Sequence, residues 1–304
     1  MSDPSSRVSA LRMPRIFERL LPAAWRRTVP VVPVVRLTGA IGMSAPFRPG
    51  LYLASVARSL ERAFSVKSAP AVALIINSPG GAAAQSHLIF RRIRALAQEK
   101  NKHVFAFVED VAASGGYMIA CAADEIIADP ASLVGSIGVV SAGFGFDRLI
   151  ERIGVERRVH TAGTQKMILD PFRPEQPQDV AHLEALQRDI HAMFIDVVRT
   201  RRKEALKASD EILFSGAFWI GCRGLELGLV DQVGDLRQVL RARYGDEVRT
   251  PLMAPGGWLT LRRSGPGVEV GRGPHTGQAG LGADFAAGLL AGVEERALWA
   301  RYGL

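Results

Sequence analysis

The sequence predicts an α/β protein built from strand–turn–helix units. From residue 31 onward, short apolar runs alternate with helix-length periodic segments, which is the pattern of βαβ units. Of its 304 residues, 48% are hydrophobic and 22% are charged, the composition of a folded globular protein. At about 100–200 residues per domain, this length suits one large domain or two small ones.

Five short apolar runs predict strands, and four longer segments predict helices. The strands are Val31–Leu37, Ala71–Ile76, Val104–Val108, Glu125–Ala128 and Val155–Thr161. The helices are Leu51–Phe64, Ala84–Lys100, Gly115–Ala123 and a long one from about Gln178 to Lys203, whose apolar stripe is Leu183, Leu186, Ile190, Met193 and Val197. The basic residues that end the long helix are interpreted as a solvated last turn, because no aromatic residues are interleaved for nucleic-acid stacking.

The two ends of the chain differ in composition from the main domain, residues 29–250. Residues 1–28 place six arginines among apolar residues and predict a basic amphipathic arm, suited to an anionic membrane or a partner. Residues 251–283 are rich in glycine and proline and predict a flexible linker. Residues 284–304 carry apolar residues at helical spacing and predict a docking helix.

The cysteines and the hydropathy exclude several classes of protein. Cys121 and Cys222 are too few for a disulfide framework or a four-cysteine metal site, and both are predicted to be packed, reduced thiols. No cofactor and no metal are predicted. No run approaches the roughly 20 apolar residues that span a bilayer, so a cytoplasmic protein is expected.

Two glycine-rich turns follow predicted strands and precede predicted helices. In Asn77–Gly81 the paired glycines allow a sharp turn and expose N–H groups that hold an oxyanion or a phosphate, although turn formation alone also explains them. In Ala112–Tyr117, Ser114 occupies a turn where its hydroxyl is exposed and the Gly115 N–H points to the same reacting atom. Together the turns indicate acyl transfer. A capping role for Ser114 is the alternative.

A serine nucleophile needs a base, and the rarity of lysine narrows the choice. Among the 38 basic side chains only six are lysine, and five of these lie in predicted surface positions. Lys166 instead follows a predicted strand among small or apolar neighbours, where desolvation would lower its pKa toward that of a neutral base. Six histidines are also present, and a serine–histidine arrangement stays open.

The ordered set of motifs resembles the signal peptide peptidase A, protease IV and SohB family of serine peptidases, in its short single-repeat form. The resemblance covers about residues 31–240. It rests on Asn77–Gly81, Val111–Tyr117, Gly135–Val139, Ala162–Gly163 with Lys166, and Gly224–Asp231.

This resemblance implies a ClpP/crotonase-like fold for the domain at 29–250 and a Ser-Lys dyad. Ser114 would be the nucleophile and Lys166 the general base, with Ser136 orienting the lysine. The N–H groups of Gly81 and Gly115 would form the oxyanion hole. It also implies a homo-oligomeric ring with active sites where protomers meet, and cleavage of remnant signal peptides or other unfolded apolar peptides.

One departure from the family concerns the membrane. Many relatives carry an N-terminal membrane-spanning helix, whereas residues 1–28 here form only the basic arm. The arm is expected to allow peripheral contact with the inner face of a bacterial membrane, and no nucleic-acid partner is expected. Two other functions stay open: a crotonase-like acyl-CoA hydratase or thioesterase, and a non-catalytic ring scaffold at the membrane.

Overall fold

The computed structural model describes residues 29–43, 50–163, 165–254, 292–293 and 295–304. The predicted arm at 1–28 and almost all of the predicted linker at 251–283 lie outside the described residues. Of the predicted helix at 284–304, positions 292–293 and 295–300 are helical where they are described.

The described domain is organised around a seven-stranded sheet. Its main path runs in the order β1, β2, β3, β4, β7, and all of these neighbours are parallel. The strands are β1 (Val34–Thr38), β2 (Ala71–Ser78), β3 (His103–Ala113), β4 (Glu125–Ala128), β5 (Leu133–Gly135), β6 (Phe218–Ile220) and β7 (Gln232–Val233). The predicted α/β fold class is confirmed.

Strand β3 divides the sheet into two parts. Its first half, Phe105–Val108, pairs with β4, whereas its last residues, Val111–Ala113, pair with β5. Strand β5 then pairs with β6 in the antiparallel direction. The carboxyl ends of β2, β3 and β5 therefore meet at one edge, where loops of an α/β sheet form ligand sites.

Eight α-helices are described. They are α1 (Leu53–Ser65), α2 (Ala83–Lys100), α3 (Gly115–Ala120), α4 (Asp147–Arg152), α5 (Pro177–Arg202), α6 (Asp210–Leu213), α7 (Gly221–Leu227) and α8 (Leu236–Tyr244). The four predicted helices correspond to α1, α2, α3 and α5, each within a few residues of its predicted bounds.

Both faces of the sheet are covered, which explains why the strands have continuous apolar sequences. The larger core joins one face to buried residues of α1, α2, α3 and the last turns of α5, such as Leu60, Ile89 and Val198. The smaller core lies on the opposite face, where Val239 and Leu240 of α8 cover the central strands.

Residues 140–163 and 165–169, hereafter the projecting segment, are largely exposed. The prediction of a strand at Val155–Thr161 was wrong, because this stretch has no partner strand among the described residues. Val155 is 52% exposed and Phe144 is 82% exposed. A β-branched run without a neighbouring strand leaves its backbone groups to water and forms no ladder.

The end of α5 also differs from its prediction. Arg202 is buried, and its guanidinium donates to both carboxylate oxygens of Asp231 at 2.7 and 2.8 Å and to the carbonyl of Gly228. A solvated last turn was therefore wrong for this arginine. The prediction of packed thiols was correct for Cys121, which is buried, and wrong for Cys222, which is exposed.

Candidate active site

Ser114 occupies a strained turn between β3 and α3. Its φ and ψ are 51° and −123°, a backbone region that residues other than glycine rarely adopt. Its amide donates to the carbonyl of Gly135 at 2.8 Å, and its carbonyl accepts from the amide of Met118 at 3.0 Å. The backbone of Ser114 is thus held from both sides.

The side chain of Ser114 is free, in contrast to its backbone. Its Oγ has no hydrogen-bond partner among the described residues, and it does not cap α3. The alternative interpretation of Ser114 as a helix cap is therefore wrong. A strained backbone that presents an unbonded hydroxyl is the arrangement seen at nucleophile turns.

The glycine turn after β2 packs directly against Ser114. An ideal Cβ built on Gly80, whose φ is +102°, would lie 2.8 Å from the Cβ of Ser114 and 3.0 Å from the amide nitrogen of Gly115. Any side chain at this position would push the two turns apart. Glycine is required at position 80 because the two backbones approach each other so closely.

The amides of Gly81 and Gly115 are available to a ligand. Neither N–H has an acceptor within the part of the chain that the structure describes. The turn that carries Gly81 is held by Ile41, whose amide donates to the Gly80 carbonyl and whose carbonyl accepts from the Ala82 amide, both at 2.8 Å. Two fixed donors beside a serine hydroxyl suit the oxyanion of a tetrahedral intermediate.

A polar contact that the sequence did not reveal joins the two turns. The Asn77 side-chain amide donates to the Asp110 carboxylate at 2.5 Å, although the residues are 33 positions apart. Asn77 is the penultimate residue of β2, and Asp110 lies four residues before Ser114 on β3. The pairing of β2 with β3 brings them together, and this pairing could not be read from either motif alone.

Ser136 follows Gly135, whose carbonyl accepts from the Ser114 amide. It is 7% exposed, and its φ of 53° makes it a second strained serine at this edge. Its amide donates to the carbonyl of Ala217 at 2.7 Å. Its Oγ contacts the hydroxyl of Tyr302 at 3.3 Å.

Lys166 is not joined to this group within one chain. Its side chain is exposed in the projecting segment, and among the described residues no hydrogen bond links it to Ser114 or Ser136. Desolvation of Lys166, which the sequence predicts, is absent from the single chain. The structure thus unites Ser114, Gly81, Gly115 and Ser136, and leaves Lys166 apart.

Asp170 anchors the loop that carries Lys166. Its carboxylate, 1% exposed, accepts from the Nε of Arg157 at 2.8 Å and from the amide of Phe172 at 3.2 Å. The hydrogen bond from Arg157 holds the pKa of Asp170 below its usual range. The same arginine stacks over the Phe172 ring, 4.8 Å from its centroid. The lysine loop is therefore ordered at its base.

The described histidines form no contact that would make one of them the base. The Nε2 of His191 is 3.1 Å from the carbonyl oxygen of Ile137, the residue after Ser136. Among the described residues no histidine forms a hydrogen bond with Ser114. A serine–histidine arrangement, which the sequence left open, has no support from these contacts.

Substituting Ser114 by glycine is expected to stabilise the protein relative to Ser114→Ala by about 1 kcal/mol, while both variants lack the nucleophile. Glycine adopts the backbone region of Ser114 without strain, whereas alanine keeps that strain. Urea unfolding of the two variants measures the difference.

Ser65 provides the matched control for this comparison. It is exposed in the last turn of α1 and is not among the residues with a positive φ. At Ser65, glycine should be less stable than alanine. A Ser114→Gly variant that unfolds at lower urea than Ser114→Ala would contradict the strain argument.

A family model matches residues 96–247, half of the chain, and its description is Peptidase family S49. The chain belongs to Peptidase family S49. The resemblance to the signal peptide peptidase A, protease IV and SohB group is thereby confirmed.

Two relatives match this chain over only part of their own length. A protein of Brucella abortus named Na(+)/H(+) antiporter NhaA is 55% identical over 293 residues, which are 96% of this chain and 39% of that protein. A putative protease of Synechocystis sp. is 37% identical over 175 residues, 57% of this chain and 62% of that protein. The chain thus spans less than two thirds of the length of each of these relatives.

A solved structure of a mutant 1510-N membrane-bound stomatin-specific protease is 18% identical and has a TM-score of 0.47. It covers 75% of this chain and all of that chain. In the described part of the S49 chain, no helix combines the length and the hydropathy needed to cross a membrane.

Proposed function

We propose that this S49 protein is a serine endopeptidase with Ser114 as its nucleophile. The observation that carries the proposal is the unbonded Ser114 hydroxyl on a strained turn, beside the free amides of Gly81 and Gly115. Family membership supports a peptidase over an acyl-CoA hydratase or thioesterase. It also favours an enzyme over a scaffold.

Lys166 is the proposed general base. Its neutral amine takes the proton of the Ser114 hydroxyl as Oγ attacks the peptide carbonyl, and the Gly81 and Gly115 amides bind the oxyanion. The ammonium then returns this proton to the leaving amine, so that an acyl-enzyme ester and an amine product form. Water, deprotonated by the same lysine, hydrolyses the ester and regenerates Ser114.

Lys166 is proposed to reach Ser114 of a neighbouring protomer. The projecting segment that carries Lys166 also exposes apolar side chains that a monomer leaves in water: Val140, Phe144, Leu149, Ile153 and Val155, each more than half exposed. An apolar surface of this kind indicates a protein–protein contact. Packing against a second copy would bury these residues and desolvate Lys166 in one step, which lowers its pKa.

A head-to-tail contact of this kind closes into a ring when its rotation allows. The proposed assembly is therefore a homo-oligomeric ring with active sites shared between protomers. An isolated monomer would be inactive, because its serine would lack a base.

The proposed substrates are unfolded apolar peptides, including remnant signal peptides. The proposed location is cytoplasmic, with peripheral membrane contact through the basic arm at 1–28.

Cleavage mapping tests the proposed activity. The wild-type protein and Ser114→Ala are each incubated with a peptide library, and the products are identified by mass spectrometry. We expect products from the wild type alone, and labelling of Ser114 by a small fluorophosphonate probe. Equal products from both proteins, or a wild type that neither cleaves nor is labelled, would contradict the proposal.

A further inference from the structure

Residues 295–304, hereafter the terminal segment, lie against the candidate active site. Tyr302 is 9% exposed, and its ring packs edge-on against Phe218, with 4.9 Å between the ring centroids and 69° between the planes. The same cluster contains Val111 and Ala113 at the end of β3, with Leu133 and Trp299 beside them. These residues form an apolar pocket around the Tyr302 ring, and two of them, Val111 and Ala113, lie within three residues of Ser114 in sequence.

The hydroxyl of Tyr302 reaches the groups that surround the nucleophile. It lies 3.4 Å from the carbonyl oxygen of Pro79 and 3.3 Å from the Oγ of Ser136. Pro79 precedes Gly80, which packs on Ser114, and Ser136 follows Gly135, whose carbonyl binds the Ser114 amide. The tyrosine therefore lies between the glycine turn at Pro79 and Ser136, the residue after β5.

We propose that the pocket around Tyr302 is a subsite for an aromatic side chain of the peptide substrate, and that the terminal segment is its internal occupant. The inference rests on the proposed function and adds the side-chain class that the enzyme selects. Phe218, Val111 and Leu133 supply the apolar walls. The Pro79 carbonyl and the Ser136 hydroxyl supply polar partners for a phenol.

The occupant also contacts the group that is proposed to orient the base. The Tyr302 hydroxyl donates to the Oγ of Ser136 and takes one of its two acceptor lone pairs. The Tyr302 ring fills the apolar space that an aromatic substrate side chain would need, so the terminal segment has to leave before such a substrate binds.

An open groove of about 810 Å³ continues from this pocket. It is lined by Leu133 and Tyr302 and by three carboxylates, Glu109, Asp110 and Asp129. Arg36 pairs with Glu109 at 2.6 Å, whereas Asp110 and Asp129 bond only to neutral donors among the described residues. The terminal segment carries Arg296 and Arg301. The groove thus favours a peptide that has basic residues near its aromatic residue.

Kinetics of Tyr302→Ala separate an internal occupant from a structural residue. Removing the occupant raises the fraction of free enzyme whose pocket can accept a substrate. KM should therefore fall by about tenfold while kcat is unchanged. Tyr302→Phe should lower KM by a smaller factor. Tyr244→Phe is the matched control, because it removes a tyrosine hydroxyl outside the pocket. Tyr244 is the last residue of α8 and packs on Phe105 of β3, so this substitution should leave KM unchanged.

Binding measurements test the pocket independently of catalysis. A fluorescent peptide of residues 295–304 is titrated into the double variant Ser114→Ala, Tyr302→Ala. We expect saturable binding that weakens with salt, is lost when the peptide tyrosine is replaced by alanine, and is displaced by a Tyr-containing substrate peptide. Equal binding of the tyrosine and alanine peptides, or an unchanged or higher KM in a folded Tyr302→Ala variant, would overturn the inference. Peptide binding without any wild-type cleavage would instead refute the proposed function alone.

Discussion

Mixing the inactive variants Ser114→Ala and Lys166→Ala is expected to restore peptidase activity that neither has alone. Each substitution removes one member of a unit that acts together, and each should lower kcat by about 10⁴-fold or more. If the serine and the lysine of a site come from different protomers, a mixed ring contains sites with both intact. In a random mixture of equal amounts, about one quarter of the sites would be intact.

The physical reason for this expectation is the exposure of Lys166. In one chain the side chain lies in the exposed projecting segment, away from the contacts that unite Ser114, Gly80 and Gly115. A lysine in water keeps its proton near neutral pH, because its ordinary pKa is about 10.4. Burial against a second protomer is what would allow it to act as a base.

Two controls sharpen the mixing experiment. Lys100→Ala removes an exposed lysine at the end of α2 and should leave activity unchanged. Phe144→Asp places a charge on a side chain that is 82% exposed in the monomer, and should abolish assembly and activity without lowering the stability of the chain. Activity that fails to return after denaturation and co-refolding of the two variants would show that the serine and the lysine belong to the same protomer.

Replacing Asp231 by alanine is expected to lower the free energy of unfolding by about 3–5 kcal/mol, the cost of leaving a buried cation unpaired. The Arg202 side chain is 5% exposed and forms a two-point contact with Asp231. Asp231 also accepts from the amide of Ile126 at 2.7 Å. At about 2–4 °C per kcal/mol, Tm should fall by about 10 °C.

Arg202→Met is expected to be the milder change. Arg202→Met removes the buried guanidinium itself, whereas Asp231→Ala leaves that guanidinium buried without a counter-ion. The surface pair of Arg223 and Glu226, whose side chains are 53% and 65% exposed, is the control, and Arg223→Ala should change stability by less than about 0.5 kcal/mol. Urea unfolding checks all three variants. An Asp231→Ala variant as stable as Arg223→Ala would contradict the prediction.

This ion pair explains the last motif of the family resemblance, Gly224–Asp231. Helix α7 ends at Leu227 and is capped by Gly228, whose carbonyl accepts from Arg202, and Asp231 lies three residues further on. The hydroxyl of buried Tyr117, three residues after Ser114, donates to the carbonyl of Leu229 at 2.8 Å. The motif therefore supports α3, the helix that begins at the nucleophile turn.

The sequence was sufficient to predict β1 to β4, the helices α1, α2, α3 and α5, and the two glycine turns. The runs Ala71–Ile76 of β2 and Val104–Val108 of β3 are continuously apolar, and such local signals survive in the fold because buried parallel strands need apolar residues on both faces. The strand predicted at Val155–Thr161 failed because strand formation depends on a partner. Its residues have strand propensity, but among the described residues no neighbouring strand accepts their hydrogen bonds.

Residue type and immediate neighbours were enough to propose Ser114 and Lys166, because bases have few alternatives in a chain with six lysines. Long-range packing placed Arg202 in the interior, joined Asn77 to Asp110 and inserted Tyr302 beside Ser136. No local pattern predicts these contacts, since their partners lie between 29 and 166 positions apart. Local sequence therefore indicates the candidate reactive groups, and the folding of distant segments onto one sheet edge determines which groups surround Ser114.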